Sequence, residues 1–223
     1  MTAPENFKPA LMSRRTLLRG ATAGGVVVGG ITLPTTAAHA APAPRCYTRS
    51  EWSARPPKSS TTVIGAPDHI VIHHTASPNV TDYSLAAAYK VQHWIQDLHM
   101  DTNGWIDIGN QLTISRGGFL MEGRSKSLPS INNGQNVLGA QTANNNSHTI
   151  GIEHEGTYVS ADVPTALFDM SVLTCAWLCN QYGLDPHVAI VGHRDYNSTQ
   201  CPGDVFYARL PELRDRVAEV MLG

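Results

Sequence analysis

The sequence predicts an α/β domain with a mixed central β-sheet, because short apolar runs alternate with stretches of helical periodicity and one segment is typical of a hairpin. HIVIHHT at residues 69–75 has apolar residues at consecutive positions, as expected of a central strand buried on both faces. TIGIEHEG at 149–156 and HVAIVGH at 187–193 predict further strands. NQLTISRGGFLMEGR at 110–124 predicts the hairpin, since two alternating runs flank a pair of glycines.

Three segments have the periodicity of helices that would flank the sheet. Residues 84–99 place apolar side chains at helical spacing, after several residues that can cap the first turn. A second helix is expected to follow Pro164 and to end at Gly183, and a third, LPELRDRVAEVML at 210–222, has a proline in its first turn. The polar segment 131–148 lacks periodicity, so we expect a long loop there.

Residues 1–40 are typical of an export signal. Basic residues precede a small, glycine-rich apolar run that is too short for a good spanning helix, and an A-x-A site predicts cleavage after Ala40. The adjacent Arg14 and Arg15 resemble a twin-arginine signal, which implies export of a folded protein from a bacterium. An ordinary secretory signal is the alternative, and either one predicts a secreted protein.

The mature chain is expected to be acidic and rich in histidine. Removing residues 1–40 takes away four basic residues and one acidic residue, so the formal charge moves from -2 to -5. This charge argues against nucleic acid as a partner. Residues 41–50 are expected to form a short lead-in, and we expect a monomer without a membrane span. Nine of the ten histidines and all four cysteines follow residue 40, which hints at a metal.

Histidines at the ends of two predicted strands, and a cysteine near one of them, form a candidate metal site. His73 and His74 end one strand, His193 ends another, and Cys201 follows after a loop. Adjacent strand residues point to opposite faces, so at most one of the paired histidines faces a given site. Two imidazoles and a thiolate would leave a fourth zinc position for water, as in catalytic sites. The alternatives are hydrogen-bonded core histidines and a disulfide at Cys201.

Six motifs in register extend this interpretation. They resemble the N-acetylmuramoyl-L-alanine amidases of the phage-lysozyme and peptidoglycan-recognition-protein superfamily: EWSARPP, IVIHHTA, IQDLHMDTNGWIDIG, MEGR, GAQTANNNSHTIGI and VGHRDYNSTQCPGD. The resemblance implies an amidase or peptidoglycan recognition domain at 46–223, with a mixed sheet, about three helices and a Zn²⁺ groove on one face. It implies His73, His193 and Cys201 as metal ligands, and peptidoglycan or a muropeptide as the partner. His74 is left to packing, a hydrogen bond or substrate contact.

The resemblance also suggests catalytic residues. Many relatives carry a tyrosine after DIG that helps to activate water, but this chain has Asn110, which cannot act as a general base. Glu153 matches a glutamate that a muropeptide-cleaving branch uses for this role, so we expect it to act as base and acid. Glu155 is the alternative, since strand alternation places it on the same face. Thr199 is expected to donate to the substrate carbonyl or the oxyanion, and the alternative is a hydroxyl that stabilises its loop.

Further candidates for substrate contact lie in the predicted hairpin and loop. Arg124 and Arg116 could meet the carboxylates of a peptide stem, although single arginines beside a hairpin are more often surface residues. Asn110 and Asn146 could bind sugar or peptide amides, but plain loop composition explains asparagines there equally well. Gln141 replaces a histidine that many relatives carry after GA, which concerns substrate contacts and not the metal.

Three cysteines remain once Cys201 is assigned to zinc. Cys175 and Cys179 lie one turn apart on a single helix face, a poor geometry for bridging each other. One of them is expected to pair with Cys46, unless all three are buried free thiols.

The sequence therefore predicts an exported zinc amidase that hydrolyses the amide between the lactyl group of N-acetylmuramic acid and L-alanine. The alternative is a peptidoglycan-binding module without activity. Such modules usually lack the cysteine ligand that Cys201 would supply here.

Overall fold

The computed structural model describes residues 43–222, which form a six-stranded mixed sheet, a small second sheet and surrounding helices. The predicted signal segment and its cleavage site lie outside the described residues. The strands are β1 (Cys46–Tyr47), β2 (Val63–Ile64), β3 (His69–His74), β4 (Leu112–Ile114), β5 (Leu120–Glu122), β6 (Asn136–Val137), β7 (Thr149–His154) and β8 (Ile190–Gly192). The α-helices are α1 (Leu85–Asp97), α2 (Ser127–Asn132), α3 (Thr165–Tyr182), α4 (Pro186–Ala189), α5 (Asp204–Ala208) and α6 (Leu210–Leu222).

The large sheet has the order β1-β5-β4-β7-β3-β8. Strands β4, β7, β3 and β8 run parallel, while β4 and β5 form the predicted antiparallel hairpin. The mixed α/β fold is therefore confirmed. The register sets His73 of β3 beside Glu153 of β7, and Glu153 beside Thr113 of β4. These three residues share a face of the sheet because paired residues point the same way.

The two faces of the sheet carry different layers. Ile70 and Ile72 of β3 and Ile150 and Ile152 of β7 are fully buried in the main core, together with side chains of α3 and α6. Burying each isoleucine stabilises the fold by about 2 kcal/mol. Helix α1 belongs to a second core with residues of the other face, including Met121 of β5. Strand alternation therefore turns His73 away from α3 and α6.

Local chemistry explains where helix α1 begins and where helix α3 ends. Ser84 caps α1, since its Oγ accepts a hydrogen bond from the Ala87 backbone N–H at 3.2 Å. Helix α3 follows Pro164 and ends at Gly183, whose φ of 67° is the left-handed conformation that a glycine adopts without strain.

Two sequence predictions of local structure are wrong in part. The segment 131–148 is not a continuous loop, because it contains the end of α2 and strand β6, which pairs with β2. Residues 187–193 are not one strand, because α4 occupies the first half. Asp185 accepts a hydrogen bond from the His187 N–H at 2.9 Å, and a proline follows it, which is a helix start that the apolar run obscures.

The four cysteines bear on the predicted disulfide. All four cysteines are buried free thiols in this part of the chain, so the predicted disulfide from Cys46 is wrong and the free-thiol alternative holds. Cys46, Cys175 and Cys179 share the main core, where they pack as small apolar side chains.

Within residues 43–222, every helix falls short of the length and apolar character needed to cross a membrane.

His154, the last residue of β7, makes stability depend on pH. It is fully buried, its Nδ1–H donates to the His73 carbonyl at 2.8 Å, and burial lowers its pKa to about 4. The folded chain therefore takes up this proton less readily than the unfolded chain. Its contribution to the free energy of unfolding is complete above pH 6.5 and is lost as the pH falls towards 4, by about 3 kcal/mol.

We expect His154→Asn to flatten this pH dependence in urea denaturation of the metal-free protein, because asparagine keeps an N–H donor but does not titrate. Losing the contact with the Phe206 ring changes the free energy of unfolding by the same amount at every pH. The test therefore compares how steeply this free energy changes with pH, and not its absolute value. Parallel slopes for the two proteins would contradict the assignment.

Candidate metal centre

His73, His193 and Cys201 come together at the carboxyl end of the parallel strands. His73 lies near the end of β3, His193 follows β8, and Cys201 lies in the turn before α5. Their ligand atoms all lie within 4.8 Å of one another. Cys201 Sγ is 3.7 Å from His73 Nδ1, and the two imidazole centroids are 4.4 Å apart. The group that the sequence suggested is thus assembled by the ends of two neighbouring strands and one turn.

Side-chain amides orient both imidazoles. Gln141 Nε2 donates to Thr149 Oγ1 at 2.8 Å, so its Oε1 is the atom that faces His73 Nε2, at 2.6 Å. Asn197 Oδ1 lies 3.1 Å from His193 Nε2 in the same way. Each amide oxygen accepts a hydrogen bond, so each Nε2 carries its proton and each Nδ1 presents a lone pair. This arrangement, in which the second ring nitrogen donates to an outer partner, is typical of histidines that bind metals.

The electrostatics of the three ligands also suit a metal ion. Burial, aided by the nearby His193, lowers the pKa of His73 well below its ordinary value, and burial lowers the pKa of His193 as well. Both rings are therefore neutral, the form that coordinates metal. Burial and the nearby Glu153 raise the pKa of the Cys201 thiol, so the thiolate needs a neighbouring cation. The His74 backbone N–H points at this sulfur, 3.3 Å away. Two neutral imidazoles and one thiol are a donor set that zinc accepts.

Glu153 lies in the floor of the cleft beside these ligands. Burial raises the pKa of its carboxyl group to about 8. Its Oε2 is shielded from solvent and has no hydrogen-bond partner among residues 43–222. A buried polar atom without a partner is costly, so it marks a position that a bound water or substrate atom would satisfy.

The cleft around this group has a volume of about 290 Å³. Its wall is completed by His99 and Trp105, whose rings stack 4.7 Å apart after α1, and Thr199 lies exposed at the rim. The lining residues are His73, His74, Ala76, His99, Trp105, Ala140, Gln141, Glu153, His193, Thr199 and Cys201.

His74 and Thr199 both line this cleft, and both side chains accept hydrogen bonds from nearby backbone N–H groups. His74 Nδ1 accepts a hydrogen bond from the Tyr158 N–H at 3.2 Å, so His74 has a structural role beside the cleft. Thr199 Oγ1 accepts from the Cys201 N–H at 3.2 Å, and its own hydroxyl proton can still be donated into the cleft.

Four residues suggested for substrate contact do not line the cleft. Asn110 is fully buried and donates to Leu112 O at 2.8 Å and to Thr113 Oγ1 at 2.9 Å, so it stabilises the start of the hairpin. Arg124 is buried and donates to Ile108 O at 2.7 Å. These suggestions from the sequence are wrong, because both side chains are buried within the fold and neither lines the cleft.

Arg116 and Asn146 also have partners within the fold. Arg116 is buried, and its guanidinium donates to Asn79 Oδ1 at 2.8 Å. Asn146 Oδ1 accepts from the backbone N–H groups of Gln141 at 2.8 Å and Thr142 at 3.1 Å. Asn146 therefore holds the turn that presents Gln141, and does not face the cleft itself.

Glu155, the alternative base, lies outside the cleft. It follows the end of β7, and its Oε2 accepts a hydrogen bond from the Arg116 N–H at 2.8 Å. It lines a separate groove of about 490 Å³ along α1. The expectation that it shares a face with Glu153 fails because strand alternation ends at His154.

Gln141 packs directly over the sheet. A side chain at Gly151 would place its Cβ 2.7 Å from Gln141 Cδ, so only glycine in β7 leaves room for the amide beside His73. The sequence marks Gln141 as a departure from related chains without indicating that it orients a metal ligand. It likewise does not single out His99 and Trp105, which a π-helical turn at Leu98–Thr102 brings to the cleft. Both residues lie in the motif IQDLHMDTNGWIDIG, which is the one signal in the sequence that indicates them.

A mixed α/β domain that gathers two imidazoles, a thiol and a half-buried glutamate in one cleft has a donor set suited to a metal ion and a group suited to acid–base chemistry. The chain belongs to the Amidase_2 family, described as N-acetylmuramoyl-L-alanine amidase, whose model matches residues 64–204.

Relatives of two kinds resemble the chain. Peptidoglycan-recognition protein SC2 of Drosophila melanogaster is 34% identical over 70% of this chain and 78% of its own length. An N-acetylmuramoyl-L-alanine amidase of Sus scrofa is 32% identical over 75% of this chain, which spans only 27% of that relative. Drosophila PGRP-LB, solved as the wild type and as a mutant in complex with tracheal cytotoxin, matches with a TM-score of 0.65 at 31% identity, over 74% of this chain and 92% of that one.

Proposed function

We propose that the chain is a zinc-dependent N-acetylmuramoyl-L-alanine amidase that cleaves the bond between the lactyl group of N-acetylmuramic acid and L-alanine. The observation that carries the proposal is the unpartnered, buried Glu153 Oε2 beside the His73, His193 and Cys201 group. A domain that only binds peptidoglycan has no need for a carboxyl group with a raised pKa next to a metal site.

The three ligands would hold zinc at the floor of the cleft, with a fourth position open towards the substrate. Zinc bound there would supply Lewis-acid polarisation of the scissile carbonyl and acidify the attacking water. Gln141 and Asn197 keep the Nδ1 atoms of His73 and His193 turned towards this position.

Glu153 moves the proton in this mechanism. In its ionised form Oε2 accepts a proton from the attacking water, and the resulting carboxylic acid donates it to the nitrogen of L-alanine as the amide bond breaks. A pKa near neutrality suits both steps, because the group must gain and lose the proton in each turnover. Thr199 at the rim donates its hydroxyl proton to the developing oxyanion.

The predicted export signal fits this target. Peptidoglycan lies outside the cytoplasm, and the segment 1–40 predicts a secreted or cell-wall-associated protein. We therefore propose that the mature enzyme, acting as a monomer, meets its substrate after export.

The proposal is tested by incubating the zinc-loaded protein with purified muropeptides and measuring new L-alanine amino groups, with bound zinc quantified in parallel. Stoichiometric zinc together with amine release supports the enzyme. Muropeptide binding without amine release would instead support the recognition module, a class that several relatives' names also represent.

Gln141 offers a test of ligand orientation. We expect Gln141→Ala to weaken zinc affinity ~10-fold to 100-fold, because His73 loses the partner that fixes its tautomer. Competition with a chelator of known affinity measures the change. The control is Gln200→Ala, which removes an exposed amide next to Cys201 in sequence. Equal zinc affinities for the two variants would contradict the positioning role.

A further inference from the structure

A second cluster of metal-binding side chains lies at the opposite end of β3 from the catalytic cleft. Asp68, His69 and His148 bring one ligand atom each within 4.8 Å of one another. His69 begins β3, and His148 directly precedes β7, the neighbouring strand. A backbone hydrogen bond of 2.9 Å from Asp68 N–H to His148 O holds the two segments together. The cluster therefore rests on the rigid sheet and not on a free loop.

Both imidazoles converge on one carboxylate oxygen. His69 Nδ1 lies 2.7 Å and His148 Nδ1 lies 2.8 Å from Asp68 Oδ1. Burial opposes ionisation of Asp68, but hydrogen bonds from His148 and His69 outweigh it and lower the pKa of the carboxyl group. Asp68 therefore offers an ionised carboxylate oxygen next to two imidazole nitrogens. The side chains of Asp68, His69 and His148 remain accessible, with exposed fractions of 63%, 29% and 37%.

An amide orients His148 as amides orient the catalytic histidines. Asn145 Nδ2 donates to Ala143 O at 3.0 Å, so Oδ1 is the atom that faces His148 Nε2, at 3.2 Å. Nε2 of His148 therefore donates to this amide, and its Nδ1 faces Asp68 Oδ1 at 2.8 Å, so a metal ion held by the carboxylate would lie within reach of this nitrogen. The same pattern of Nε2–H donated to an amide and Nδ1 turned inward occurs at His73 and His193.

We propose that Asp68, His69 and His148 form a second metal site for a divalent transition ion. Two imidazoles and one carboxylate favour Zn²⁺, Co²⁺, Ni²⁺ or Cu²⁺ over Mg²⁺ and Ca²⁺, which prefer oxygen ligands throughout. The site binds more weakly than the His₂Cys group, because it has no thiolate and opens to solvent. Its open coordination positions are filled by water.

Cobalt titration of the full-length, chelator-treated protein separates the two sites. A first equivalent of Co²⁺ at the Cys201 site produces a sulfur-to-metal charge-transfer band, while a second equivalent at the Asp68 site adds only d–d absorption. We expect His148→Ala and Asp68→Asn to lose the second equivalent and to keep the charge-transfer band. Cys201→Ser is expected to show the reverse, so failure of one site is distinguishable from failure of the other.

The matched control is His187→Ala, which removes an exposed histidine whose Nδ1 lies 3.8 Å from Asp215 Oδ1, a pair that no third metal-binding side chain joins within residues 43–222. It should keep both equivalents. Asp68→Asn is nearly isosteric, so it keeps the proposal testable if His148→Ala does not fold. The proposal is overturned if the wild type binds one equivalent only, or if Asp68→Asn retains the second. Asp68, His69 and His148 would then form a hydrogen-bonded group only.

Discussion

Replacement of Cys201 by serine is expected to remove bound zinc and to lower amidase activity ~10³-fold or more. The thiolate is the one anionic ligand of the proposed centre, and a buried hydroxyl does not replace it at neutral pH. Loss of the metal forfeits several kcal/mol of transition-state stabilisation, and each 1.4 kcal/mol is about tenfold in rate. Elemental analysis and the muropeptide assay, performed on the same preparation, measure both effects.

The control for this change is Cys46→Ser, which makes the same substitution at a buried thiol outside the cleft. It should cost stability while leaving zinc content and activity per folded molecule unchanged. A Cys201→Ser protein with full activity would falsify the proposed metal mechanism, whatever its zinc content.

Replacement of Glu153 by glutamine is expected to lower activity ~10²-fold to 10⁴-fold while zinc stays bound. Glutamine fills the same space between His73 and Thr113 but can neither accept nor return a proton. Because the change relieves a buried carboxyl group whose pKa is raised to about 8, the metal-free variant should also lose the fall in stability that ionisation causes above pH 4.5.

Glu155→Gln is the matched control, since it makes the identical change two residues further along the chain, outside the cleft. Its activity should stay close to that of the wild type. If the Glu155 variant loses activity and the Glu153 variant does not, the roles of the two carboxylates are exchanged and the cleft has been assigned to the wrong acid.

The sequence predicted the fold, and it predicted that His73, His193 and Cys201 lie together, because both depend on signals that are local or repeated. Alternating apolar runs determine which face of β3 and β7 is buried, and that choice fixes where His73 points. The motifs were in register with a known family, so the cysteine could be matched although it lies far from the first histidine in sequence.

The features that the sequence did not predict depend on side-chain contacts that exist only in the folded chain. Asn110 and Arg124 looked like polar residues free to meet a substrate, yet both are buried and donate to backbone carbonyls, those of Leu112 and Ile108, which no sequence pattern encodes. Gln141 reaches His73 only because Gly151 leaves space above β7, which is a property of packing. Helix α4 was missed because its apolar residues lead directly into the apolar residues of strand β8, so the two elements look like one strand in the sequence.

Strand β3 carries both histidine groups, and it acts as a spacer of fixed length. His69 and His73 lie on the same face, four residues apart, which places their Cα atoms about 13 Å from each other. Metal ions that work as a pair share a bridging oxygen at a separation of about 4 Å. The geometry of β3 therefore forbids a binuclear centre, and ions bound at its two ends would load, exchange and be stripped by chelators independently.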